Sequence, residues 1–166
     1  MTTISPQPHT IRQGLTAGLF GATAVAAWFL VLDLISGQAG ATPAALGRAF
    51  FSAFGPVTES TASLVAMYTA VHLTAFCGLG IIAAALIAAS RREPSVLAGL
   101  TVLFVVFEVL FTGLVATMAE GTLGQLAWWQ IGAANLVAAG AMGSYLLRRN
   151  PGLVMTLEHA LSGQES

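Results

Sequence analysis

The sequence predicts an all-α integral membrane protein: four transmembrane helices in an up-down bundle, with a short amphipathic outer helix between the first and the second. Three observations carry this expectation. The 166 residues are 56% hydrophobic and only 8% charged, whereas a soluble domain is about a quarter charged. Four apolar runs each reach the roughly 20 residues that a helix needs to cross a bilayer. None of the runs alternates as a half-buried strand would, and all are too long for strands. The mean hydropathy of +0.81 points the same way.

The expected spans are about 14–36, 63–88, 96–119 and 125–147, which make a membrane domain over 14–147 flanked by tails at 1–13 and 148–166. Turn chemistry separates them. "SGQAGATP" follows the first run, "SRREPS" the second and "EGTLG" the third, while "RRNP" ends the fourth.

The first run also has to be weighed as a signal peptide, because Arg12 precedes it and Ala39-Gly40-Ala41 has the small residues of a cleavage site. At about 21 residues it exceeds a signal core of roughly 7–15, and it contains Asp33, so it is read as a retained span.

Between the first two spans, "TPAALGRAFFSAF" offers Thr42 as N-cap, Pro43 at the first helical position and an apolar face of Leu46, Phe50, Phe51 and Phe54. An interfacial helix over about 43–54 is expected, lying on the outer surface. "PGLVMTLEHALSG" in the C-terminal tail reads as a similar element on the inner surface.

Orientation comes from the six basic residues, all arginine. Arg12, Arg91, Arg92, Arg148 and Arg149 fall on one side of a four-span arrangement, and only Arg48 on the other. The positive-inside rule then puts both termini in the cytoplasm, in a bacterial inner membrane. Trp128 and Trp129 begin the fourth span at the opposite interface, as aromatic anchors do.

Each span carries one conspicuous polar side chain: Asp33, His72, Glu108 and Asn135. At about 1.5 Å of rise per residue, Glu108 and Asn135 lie near the midplane, His72 about 6 Å and Asp33 about 12 Å toward the outside. Thr101 and Thr112 share the stripe of Glu108, which therefore faces protein rather than lipid. A carboxyl in such surroundings is expected to be protonated and to donate one hydrogen bond, to Asn135 or His72. Gly14, Gly18 and Ala22 at four-residue spacing, and Gly132 and Gly140 on the fourth span, are candidate close-packing positions.

Span one ends "LVLDLISG" and span three contains "VVFEVLFTG"; "HLTAFCGLG" and "NLVAAGAMG" pair His72 with Asn135 in the same way. The shared residues are few and common in Gly/Ala-rich spans, so the pattern is read as coincidence rather than duplication.

Several chemistries are set aside. No phosphate loop, HExxH, CxxC or nucleophile elbow occurs, and the lone Cys77 has no disulfide partner, so no catalytic residue and no metal site are assigned. The charge balance offers no basic patch for nucleic acid. A b-type haem usually takes two axial side chains, and His72 is the one histidine within a span. A pigment with a single axial ligand asks less, and His72 has Tyr68 and Ala75 on its stripe.

Three functional expectations result. The first is a small, non-catalytic accessory subunit of a larger membrane complex, energy-transducing in kind (respiratory or photosynthetic). Its partners would be the lipid bilayer and other integral membrane subunits. The second is a proton-coupled transporter or channel subunit using Glu108 and His72. The third is a pigment-, haem- or quinone-binding subunit centred on His72.

Overall fold

The computed structural model describes residues 8–56, 60–90 and 128–152, together with Val96, Val102, Phe104, Val105, Val106, Val109 and Gly113. Among the described residues every regular element is a helix. Four have defined bounds: α1 (Pro8–Ile35), α2 (Ala41–Ser52), α3 (Thr61–Ser90) and α4 (Trp128–Arg149). The isolated described positions from Val96 to Gly113 are helical as well. Most of the expected third span, with Thr101, Glu108 and Thr112, lies outside the described residues, as do the tail beyond Gly152 and the side chain of Trp128.

The helix ends correct the sequence expectation. α1 begins at Pro8, so the helix starts six residues ahead of the apolar span expected from about residue 14. Proline suits the first helical position because its missing N–H would have no intrahelical partner there. Apolarity marks where a helix meets lipid, but backbone hydrogen bonds set where it starts. The same reason extends α3 to 61–90, where Ser60 caps the start by accepting the Ser63 N–H on its hydroxyl at 3.4 Å.

α1 ends in a Schellman motif. Gly37 takes the left-handed conformation (φ 72°), the Gln38 N–H donates to the Asp33 carbonyl at 2.8 Å, and the Gly37 N–H donates to that of Leu34 at 3.1 Å.

α2 spans 41–52 rather than 43–54, and Thr42 is not its N-cap. That position belongs to Gly40, which is left-handed (φ 82°) and has no side chain to offer. Thr42 and Pro43 are the second and third helical residues.

α3 and α4 both run antiparallel to α1, which is the shared packing partner. On one side Gly14 faces Gly80, Gly18 faces Phe76 and Cys77, and Ala22 faces His72. On the other, Ala17 packs with Leu146 and Gly21 lies under Met142. Ala84 and Ile87 of α3 join Ala17 and Leu146 in one cluster, while Val25, Phe29, Ala134 and Ala138 form a second between α1 and α4.

The α1–α3 crossing depends on bare backbone. A Cβ at Gly14 would fall 2.8 Å from the Gly80 carbonyl oxygen, and one at Gly18 would fall 2.7 Å from the Cys77 Cα. No side chain fits there, so the helices approach at van der Waals distance of their main chains. Gly132 and Gly140 differ: nothing described lies within 4 Å of a Cβ built on either.

Two helices, His9–Ile35 and Thr61–Ser90, are long and apolar enough to cross a membrane, with 33% and 17% of their most apolar stretches buried. The core helix of a soluble protein would be mostly buried, whereas these turn much of their apolar surface outward. α4 is long enough but less apolar, because Gln130, Asn135, Ser144 and three glycines dilute its sequence.

Candidate functional site

Asp33 sits at the C-terminal turn of α1, 5% exposed, and ties three pieces of chain together. Its backbone carbonyl accepts the Gln38 N–H and, at 2.9 Å, the Ser36 hydroxyl. Its carboxylate accepts the Thr42 N–H at 3.0 Å and the Thr42 hydroxyl.

That contact completes the start of α2. The first four N–H groups of a helix have no intrahelical acceptor. Here the Ala41 N–H donates to the Gln38 carbonyl, the Thr42 N–H to Asp33, Pro43 has none, and the Ala44 N–H donates to Gly40. The carboxylate also lies at the positive end of the α2 dipole.

His72 faces α1 from the middle of α3. Its Nε2 lies 3.2 Å from the Ala22 carbonyl oxygen. A carbonyl only accepts, so Nε2 carries the proton, and in the neutral ring the lone pair is on Nδ1. The close α1–α3 crossing brings the ring within reach of that backbone. Tyr68, His72 and Phe76 follow at four-residue intervals along one stripe, Tyr68 stacked on His72 with centroids 5.7 Å apart and His72 tilted against Phe76 at 4.7 Å.

Asp33 and His72 both line one cleft of about 360 Å³ between α1, α2 and α3. Ala26 and Leu30 form the α1 wall, Leu46 closes the α2 side, and Val65, Tyr68 and Leu73 form the α3 wall. α2 can lie this close because Gly47 rests against α3, where a Cβ would fall 2.7 Å from the Leu64 carbonyl oxygen. The Thr69 hydroxyl donates within its own helix, to Val65 at 2.7 Å. Three polar groups of the lining residues have no hydrogen-bond partner among the described residues: the Tyr68 and Thr23 hydroxyls and His72 Nδ1.

The structure thus joins two candidates that the sequence had left at separate depths. It brings in Thr42 as the partner of Asp33, a role the sequence reading missed by taking that threonine for a cap. The available signal was a glycine at the N-cap, which leaves helix N–H groups in need of a foreign acceptor. Asn135 is half-buried on α4, and Trp129 at the start of that helix is 52% exposed. Trp28, not singled out from the sequence, buries its indole Nε1 with no hydrogen-bond partner among the described residues, beside the α1–α4 cluster. Among the described residues no three His, Cys, Asp or Glu side chains gather as a metal site. A metal or pigment at His72 would have only Nδ1 available while Nε2 holds Ala22.

No family model, no curated protein and no solved structure matches this chain.

Proposed function

We propose that the chain is a small, non-catalytic accessory subunit of a larger membrane assembly. In this reading it has four transmembrane helices and both termini on the cytoplasmic side of a bacterial inner membrane. An energy-transducing complex, respiratory or photosynthetic, is the class of assembly proposed.

The observation that carries the reading is how Asp33 and His72 are used. Each engages the backbone of a neighbouring helix, Asp33 at Thr42 and His72 at Ala22. Side-chain hydrogen bonds between helices contribute to helix association in a bilayer, and this use of both groups supports an architectural role. The outward apolar surface, including Phe20, Leu30, Val31 and Leu34 on α1 and Leu136 on α4, suits lipid and other membrane subunits.

Purification in a mild detergent tests the proposal. Recovery of the chain in fixed stoichiometry with larger membrane proteins supports it. A homo-oligomer of the chain alone overturns it in favour of a transporter or channel. Orientation is tested separately with an impermeant maleimide in a Cys77→Ser background. Ser52→Cys should label from outside intact cells and Gln164→Cys only after permeabilisation, and the reverse pattern would overturn the topology.

A further inference from the structure

We propose that the cleft between α1, α2 and α3 binds an apolar alcohol or phenol, held by its single hydroxyl group against His72, Tyr68 and Thr23. The inference stands apart from the subunit reading, since it concerns the isolated chain.

The walls are hydrocarbon: Ala26 and Leu30 from α1, Leu46 from α2, Val65 and Leu73 from α3. A volume of about 360 Å³ falls within the roughly 300–1,000 Å³ of small-molecule sites, which pair apolar walls with a few convergent polar groups. Those groups are present and have no hydrogen-bond partner among the described residues. Ala22, whose carbonyl holds His72, is the chain neighbour of Thr23, and Tyr68 lies one turn from His72 along α3. Three hydrogen-bonding groups without a partner among the described residues therefore line the same cleft, with Tyr68 and His72 half-buried and Thr23 exposed.

Their chemistry selects the ligand. With Nε2 donating to Ala22, neutral His72 presents Nδ1 as an acceptor only. A ligand carbonyl or carboxylate would set its lone pairs against that nitrogen. A hydroxyl donates to Nδ1 and, with its two lone pairs, accepts from both Tyr68 and Thr23, which matches all three groups at once. Asp33 lines the same cleft but is already engaged, each of its carboxylate oxygens accepting one hydrogen bond from Thr42.

The test uses the full-length protein in phosphatidylcholine vesicles with two photoreactive probes, a diazirine-bearing dodecanol and the matching diazirine-bearing dodecane. Cross-links are mapped by mass spectrometry. The alcohol should label Leu30, Val65 and Leu73 about 5-fold more than the alkane does, the scale of one neutral hydrogen bond. Tyr68→Phe keeps the ring and should remove most of that advantage while leaving alkane labelling unchanged, which also reports intact folding. Ala26→Phe, which fills the cleft, should abolish the advantage. Equal labelling by the two probes overturns the proposal, as does an alcohol advantage that survives either substitution.

Discussion

The carboxylate of Asp33 replaces the capping side chain that α2 lacks, accepting both the N–H and the hydroxyl of Thr42 nine residues away. The last turn of one helix thereby fixes the first turn of the next. The five residues between them, 36–40, carry two left-handed glycines that turn the chain back on itself.

Removing the carboxylate should release α2. Each hydrogen bond to a charged group is worth roughly 1.5–3 kcal/mol, so Asp33→Ala should lower stability by an amount of that order and speed hydrogen exchange at the Thr42 amide. Asp33→Asn, with one acceptor oxygen left, should fall between. Thr42→Ser should behave like the parent protein and Thr42→Val should not. Unchanged exchange at Thr42 in Asp33→Ala would show that the contact does not hold α2.

At the α1–α3 crossing, Gly18→Ala places its methyl group against the Phe76–Cys77 backbone, which no side-chain rotation can relieve. A loss of at least about 1–3 kcal/mol is expected, the usual range for overpacking. Gly132→Ala, with no described atom within 4 Å of the added Cβ, should instead be neutral or stabilise by up to about 1 kcal/mol through helix propensity. Thermal unfolding in detergent compares the two directly, and equal effects would contradict the crossing geometry.

The His72 tautomer is a second direct readout. Nitrogen-15 shifts of the labelled imidazole should report a protonated Nε2 and a bare Nδ1, because Ala22 offers only an acceptor. Finding the proton on Nδ1 would remove both the helix contact and the acceptor that Nδ1 presents to the cleft.

Trp28 provides the opposite kind of prediction. Its indole N–H is buried with no partner among the described residues, and burying an unpaired donor costs roughly 1–3 kcal/mol. Trp28→Phe removes that cost along with part of the ring, so stability should change by only about 1 kcal/mol in either direction. A loss well above that range would show that the N–H has a partner, whose acceptor the substitution leaves unmet.

How much was legible varied with the kind of interaction. Helix class and approximate position followed from apolar runs, since a helix of that length and composition announces itself locally. Gly14 and Gly18 stood out because small residues four apart share a face. Helix ends were less legible: Pro8 and Ser60 were passed over, and Thr42 was taken for a cap. Hydropathy tracks the apolar body of a helix, whereas its ends depend on which acceptor finds each free N–H.

The sequence by itself determined that the chain is helical and apolar, and which side chains are chemically conspicuous. Such properties belong to single residues and short windows, so they survive without knowledge of neighbours. Only the tertiary structure decided that Asp33 serves Thr42, that His72 serves Ala22, and that the two residues share one cleft. Those pairings join positions 9 and 50 residues apart. They exist because backbone-to-backbone packing at Gly14, Gly18, Gly47 and Gly80 draws α1, α2 and α3 close enough for short polar groups to meet.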